Sequence, residues 1–269
     1  MTCHTAAVAR TIVVSGSASG MGAATVRRLV DDGHRAIGVD VDDAEVIADL
    51  GTSSGRRSAV EQVTALAAGA LDGVVTWAGI SGLSDGSGSL LASVNHFGTV
   101  ELLEGLRPLL ARGTEPAAVA IGSNSMTCQP GVPASVIDAC LAGDETAARA
   151  VAEEAGAVAT YPATKLSVTR WVRRHAPRQE WAGSGIRLNV VAPGAVETPL
   201  LDRVRKDELL GQFVDSFPVP VGRNGRAEEL AGVVAFLLGP DARFLCGSVL
   251  FVDGGTDALL RADDHFSPM

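Results

Sequence analysis

Tyr161 and Lys165 stand four residues apart, a spacing that puts two side chains on one face of a helix. Thr160 has the chemistry of a cap and Pro162 that of a first-turn residue, so the pair is expected at a helix start. A phenol with an ordinary pKa of about 10 is a poor base at neutral pH. An ammonium about 4 Å away, in a medium of effective dielectric about 20, favours the phenolate by roughly 4 kcal/mol, which would bring Tyr161 near 7. The same ammonium can hydrogen-bond a ribose and tie proton transfer to cofactor position. Helix surfaces carry many such polar pairs without function, so the rest of the chain must decide.

A second group of residues has the chemistry of phosphate binding. Gly16, Gly20 and Gly22 are spaced GxxxGxG, with Ser19 and Met21 between them, after an apolar run and before a helical stretch from Met21 to Asp32. Glycines there permit a tight turn and let backbone N–H groups approach a pyrophosphate at a helix N-terminus. A glycine-rich turn with no ligand is the plain alternative. Asp40 follows Gly22 by 18 residues, near the offset of about 20 at which a carboxylate accepts hydrogen bonds from an adenosine ribose. Ser17, Ser19 and Val41 supply no cation for a 2′-phosphate, so the pattern favours NAD over NADP. Against this stands a solvated acid at a strand end.

These residues need a frame to hold them. Runs at Thr11 to Ser15, Arg35 to Val39, Gly73 to Trp77, Ala117 to Gly122, Ile186 to Val191 and Ser248 to Val252 alternate with segments of helical period. A weaker run, Val46 to Leu50, adds a strand. The expectation is a single-domain α/β fold over 1–269: a Rossmann-like, doubly wound, parallel seven-stranded sheet with helices on both faces. Residues 127–160 break the rhythm with loop residues and then an Ala/Glu/Arg-rich helix from Asp144 to Glu154, and they read as an insertion. The Leu-rich stretch from Thr99 to Leu110 is expected to face the sheet or a subunit contact.

Composition narrows the function classes. The chain has 269 residues, 46% of them hydrophobic, and a formal net charge of -9. That charge argues against nucleic acid or an anionic membrane as main partner. Cys3, Cys128, Cys140 and Cys246 form no metal-ligand or disulfide pattern and read as reduced thiols, with no metal expected. No export leader or span of about 18 apolar residues is evident, so a cytoplasmic protein is expected. Arg261 to Met269 read as a loose tail.

Taken in order, the motifs resemble those of the short-chain dehydrogenase/reductase family over nearly the whole chain. They are the glycine turn, Asp49-Leu50, Ala78-Gly79, Asn95-His-Phe-Gly98, Ser123, Tyr161/Lys165, and Ile186 to Gly194 leading into Val196-Glu-Thr198. The resemblance implies that Tyr161 is the general acid/base, Ser123 a donor to the substrate oxygen, Lys165 the group that lowers the tyrosine pKa, and Asn95 the holder of a relay water. It further implies NAD bound by Gly16, Ser19, Gly20, Met21, Gly22, Asp40, Val41, Asp49, Leu50, Ala78, Gly79, Tyr161, Lys165, Pro193, Gly194, Val196 and Thr198. Two departures stand out. Thr76-Trp77 replaces the Asn-Asn that braces the central strand in many members. The Ser123-to-Tyr161 stretch is long, which leaves Ser125 as a rival to Ser123, the preferred residue because it lies directly off the strand end.

Within the family, the long insertion and the 192–201 and 253–258 segments most resemble bacterial hydroxysteroid dehydrogenases that also reduce carbonyls. That implies NAD-dependent interconversion of a secondary alcohol and a ketone on an apolar, steroid-like or cyclic substrate. A carrier-bound 3-oxoacyl reductase and a non-catalytic NAD-sensing regulator are the alternatives. His96 reads as a packing or surface residue with no assigned role. Asp202, Asp207 and Glu208 read as a solvated helix face, and Leu200, Leu201, Phe213 and Phe217, in the segment about 195–220, as a lid over substrate. A homo-oligomer is expected, a dimer before a tetramer, because the insertion falls where family members pack their helices together.

Overall fold

Short runs of β-branched and small apolar residues pair side by side in the computed structural model, which describes residues 9–214 and 216–264. The strands among them are β1 (Thr11–Ser15), β2 (Arg35–Asp40), β3 (Val46–Ile47), β4 (Gly73–Thr76), β5 (Ala117–Ile121), β6 (Arg187–Pro193), β7 (Val196–Glu197), β8 (Gly225–Arg226) and β9 (Val249–Val252). Seven form one parallel sheet in the order β3-β2-β1-β4-β5-β6-β9. The order reverses between β1 and β4, the place where an open α/β sheet leaves a crevice at its carboxyl edge. The remaining two, β7 and β8, make a separate parallel ribbon.

The helices, in chain order, are α1 (Gly20–Asp31), α2 (Ser53–Leu66), α3 (Gly88–Leu91), α4 (Gly98–Leu110), α5 (Ser125–Cys128), α6 (Ala134–Ala142), α7 (Glu145–Ala155), α8 (Ala157–His175), α9 (Pro199–Arg205), α10 (Gly211–Val214), α11 (Ala227–Leu238) and α12 (Thr256–Leu260). Successive strand residues point to opposite faces, so Val13 and Val74 join Leu102, Leu106 and Val168 in one core layer. Ile12, Val14 and Val75 meet Leu29, Leu230 and Val234 in the other. Each of the α4 leucines at 102, 103 and 106 is fully buried, about 1.5–3 kcal/mol of favourable transfer apiece.

Two elements differ from the sequence expectation for local reasons. Strand β3 stops at Ile47 rather than Leu50, because the chain turns: Asp49 Oδ1 accepts from the Gly51 N–H at 2.8 Å, and Thr52 caps α2. Helix α8 begins at Ala157, so Thr160 is no cap and Pro162 lies inside the helix. Thr160 Oγ1 instead donates to the Ala152 carbonyl at 3.0 Å. Pro162 has no N–H for the carbonyl four residues back, and there the Gln129 side-chain amide donates to Val158 O at 3.0 Å.

The insertion holds two helices where one was expected. Asp144 caps α7 through the Ala147 N–H, and α6 adds an apolar set, Val136, Ile137 and Cys140, to a third core cluster with Phe97 and Ala163. Arg56, 1% exposed, ties the insertion down by pairing with Glu101 of α4 and Glu145 of α7. Cys128, Cys140 and Cys246 are unpaired thiols; Cys3 lies outside the described residues, as does the expected tail beyond Asp264.

Candidate active site

The crevice at the strand-order reversal is a cleft of about 580 Å³. Its lining brings together twelve residues expected to hold the dinucleotide: Gly16, Ser19, Gly20, Met21, Gly22, Asp40, Val41, Asp49, Leu50, Ala78, Gly79 and Thr198. The glycines are there for space. Gly16 has φ +68° and its missing Cβ would lie 2.6 Å from the Ala78 nitrogen, while a Cβ at Gly22 would lie 1.9 Å from the Gly16 carbonyl oxygen. The first turn of α1 is thus packed directly against the loop, with its N-terminal N–H groups opening into the cleft.

Asp40, at the end of β2, accepts from the Ala18 N–H at 2.9 Å and the Val41 N–H at 2.7 Å. One carboxylate therefore braces the glycine loop and faces the cleft. Ser17 Oγ, packed against Gly38 of β2, is buried without a partner. A cradle that any Cβ would fill and an acid at the end of β2 fit an NAD-type dinucleotide.

Trp77 resolves the missing strand brace. Its indole N–H donates to Thr25 Oγ1 of α1 at 2.9 Å, and Ser15 Oγ accepts from the Ala78 N–H at 3.2 Å. A helix-anchored indole thus holds the β4 end where many relatives of this motif use an amide side chain.

Beyond Gly79 stand the proton-handling groups. Asn95 sits in a π-helical turn, Ala92–Phe97, where an i→i+5 step interrupts the α3–α4 run. Its amide clamps Ile80, accepting from the N–H at 2.9 Å and donating to the carbonyl at 3.0 Å. Lys165, 5% exposed, donates to Ile121 O at 3.3 Å. A Cβ on Gly79 would lie 3.1 Å from Asn95 Oδ1 and 3.4 Å from Lys165 Nζ; the glycine keeps open a space that both groups face.

Ser123 leaves the end of β5, and Ser125 buttresses it: the Ser125 hydroxyl and N–H both donate to Ser123 Oγ, at 3.0 and 3.2 Å. With two bonds accepted, the Ser123 proton is left to point outward. Ser123 also hydrogen-bonds the Tyr161 side chain. The two serines are thus joined, Ser125 donating twice to the Ser123 oxygen.

The electrostatics depart from the sequence expectation. Lys165 Nζ lies 5.9 Å from the Tyr161 ring centroid. Burial pushes the phenol above its usual value, against a lowering by the Ser123 hydrogen bond, and pushes the Lys165 ammonium down to about 8. Desolvation acts on both partners toward their neutral forms, so in the ligand-free protein the phenol is not brought near 7.

Pro193 ends β6, Gly194 follows it and Val196 opens β7; none of the three is among the residues that line the cleft. Gly194 abuts Asp253, and the Asn124 N–H donates to Pro193 O at 2.9 Å, which ties the serine loop to β6. The Val196 carbonyl accepts from Thr198 Oγ1 at 3.1 Å, and Thr198 caps α9.

Of the acids after Thr198, Asp202 on α9 and Glu208 are exposed, as a solvated face would be, but Asp207 is engaged. Asp207 accepts from the Ser84 N–H and hydroxyl at 2.7 and 2.9 Å, and from the N–H groups of Leu209 and Leu210. It latches the α9–α10 segment to the loop after β4. Spacing alone held no sign of this, because Ser84 is 123 residues away in sequence. Of the two readings of His96, packing or surface, the structure has the first: it is buried, bonded to Ser167 Oγ at 2.8 Å and to the Cys140 backbone.

Comparison with known proteins converges on one group. A family model described as enoyl-(acyl carrier protein) reductase matches residues 16–257. The 3-alpha-hydroxysteroid dehydrogenase/carbonyl reductase of Comamonas testosteroni is 40% identical over 253 residues, 93% of this chain and 97% of the relative. The crystal structure of the 3-alpha-hydroxysteroid dehydrogenase from Pseudomonas sp. B-0831, complexed with NADH, matches with a TM-score of 0.90 at 47% identity, over 94% of this chain and 99% of that one. Levodione reductase matches with a TM-score of 0.72 at 27% identity, over 93% and 98% of the two chains.

Proposed function

The chain belongs to the short-chain dehydrogenase/reductase family of oxidoreductases, and we propose that it interconverts a secondary alcohol and a ketone on an apolar, steroid-like or cyclic substrate, with NAD as hydride carrier. The observation that carries this reading is the meeting of Ser123, Tyr161, Lys165 and Asn95 beside the glycine-loop cleft. The hydroxysteroid relatives, similar from end to end, favour the substrate class.

Bound nicotinamide supplies the acceptor for a hydride from the carbinol carbon, or the donor in the reverse direction. The protein handles the proton. Ser123, oriented by Ser125, donates a hydrogen bond to the substrate oxygen, and Tyr161 takes the hydroxyl proton in oxidation or returns it in reduction. Lys165 stabilises the phenolate by its charge. The space over Gly79 accepts a water that Asn95 Oδ1 and Lys165 Nζ hold, so the proton has a route inward from the phenol. Asp40 takes the ribose hydroxyls and repels a 2′-phosphate, and Leu200, Leu201, Phe213 and Phe217 form an apolar lid.

We read the protein as a homodimer. α6 and α7 cover the π turn and α8, and the Arg56 clamp fixes them there, which leaves that helical face occupied. No helix among the described residues is long and apolar enough to cross a membrane; a cytoplasmic setting is part of the reading, supported by the unpaired thiols.

Initial rates at the reduced-nicotinamide absorbance band test this, with NAD and NADP compared over hydroxysteroids and smaller secondary alcohols. NAD-linked turnover is expected, and Tyr161→Phe should lower kcat by about 10²–10⁴-fold. Turnover that survives the substitution, or that prefers NADP, would overturn it.

A further inference from the structure

One cation faces the cleft with nothing to hold. Among its lining residues the charged ones are Asp40, Asp49 and Arg203. Both acids are engaged with backbone N–H groups. Arg203 has no hydrogen-bond or ion-pair partner among the described residues, whereas Arg205, one helical step away, is held by Glu197 and Asp202. An exposed arginine on the wall of a concave site, its side chain without a partner, has a geometry-matched anion as its natural partner.

The placement says which anion. Pro199, Leu200 and Arg203 line the cleft, the i, i+1, i+4 set that makes one face of a helix. The start of that face rests on the glycine loop: the position a Gly20 Cβ would take is 3.5 Å from the Thr198 methyl and 4.0 Å from Pro199 Cδ. A dinucleotide carries its pyrophosphate at this helix N-terminus, with the ribose acid at the other end of the crevice. Arg203 therefore lines the same cleft as the glycine loop, carried by the segment that rests on Gly20. The segment that carries it is anchored on both sides, by the Thr198 cap and by the Asp207 latch on Ser84, so little order is lost when the contact forms.

We propose that Arg203 pairs with the cofactor pyrophosphate and so joins the substrate-covering segment to the bound dinucleotide. The proposal rests on the NAD reading above. Its consequence is directional: cofactor binding adds a third hold on α9 before substrate enters, because the pyrophosphate supplies a partner for Arg203.

Equilibrium titration with NADH, with ADP-ribose and with NADPH tests it on the wild type, Arg203→Gln and Arg203→Lys, each at low and high salt. ADP-ribose carries the pyrophosphate without the nicotinamide. Arg203→Gln is expected to raise the Kd of both NADH and ADP-ribose about tenfold at low salt and to flatten the salt dependence, with Arg203→Lys between. Trypsin adds a second readout, since Arg205 and Lys206 follow directly: NADH should protect them in the wild type and not in Arg203→Gln. Unchanged affinity for both ligands in Arg203→Gln, or a loss confined to NADPH, would overturn the pyrophosphate contact while leaving the NAD reading intact. A wild type that fails to bind NADH at all would overturn that reading itself, and this contact with it.

Discussion

Tyr161 is the one tyrosine of the chain, so its ionisation can be read directly from ultraviolet absorbance. Pairing with an ammonium would lower it; burial raises it, and in the ligand-free protein burial is the larger cause. The expected titration midpoint is above 10 without cofactor. A midpoint near 7 in the free protein would show that the Lys165 charge outweighs desolvation. Lys165→Met should push the midpoint higher still, because it removes the charge that favours the phenolate and leaves an apolar stem in its place. Most of this chemistry was legible in the residue types and their order. The relation between Ser123 and Ser125 was not, because it depends on a turn of α5 that lets two donors converge on one oxygen.

At the scale of elements, the π turn is pinned from both sides. Asn95 faces inward to Ile80, and His96 faces outward to Ser167 of α8 and the Cys140 backbone of α6. Burial lowers the His96 imidazole to about 4, against a small opposing effect of the Cys140 hydrogen bond. The ordinary value is about 6.5, so between the two values the unfolded chain binds more protons than the folded one. Stability then rises with pH across that window and is lost as pH falls, by roughly 3 kcal/mol at pH 4. Glu197 and Glu229, held down to about 2 by Arg205 and Arg223, lose their contribution only below the usual carboxylate range. Thermal melts between pH 6.5 and 5 should therefore show Tm falling in the wild type and a shallower slope in His96→Phe. Equal slopes would mean that the imidazole stays neutral for no energetic cost. The sequence left His96 between a packing and a surface residue, and the structure places it between α8 and α6.

For the whole molecule, the insertion decides which surface is free. It buries Ala148 and Ala152 against the π turn and α3 and is clamped by the Arg56 network, while Phe244, in the stretch before β9, stands fully exposed and Phe236 of α11 is 44% exposed. Exposed apolar side chains of this kind favour a symmetric pairing of two copies. Light scattering at micromolar concentration should give twice the 27.5 kDa chain mass, and Phe244→Asp should shift it toward the single chain. A mass of four chains would mean that the insertion does not obstruct the helical face.

By itself the sequence determined the strand order's raw material, the glycine cradle, the acid at the ribose end and the Tyr/Lys pair. These are written in local spacing: alternation, a turn that only glycine can make, and two side chains one helical turn apart. What tertiary structure alone decided lies between residues far apart in the chain. Trp77 finds Thr25, Gln129 covers the carbonyl that Pro162 leaves open, Arg56 joins three helices, and Asp207 reaches Ser84. The direction of the Tyr161 shift belongs to the same class. A charge four residues away is visible in the sequence, but the water removed from around it depends on every element that packs over the site.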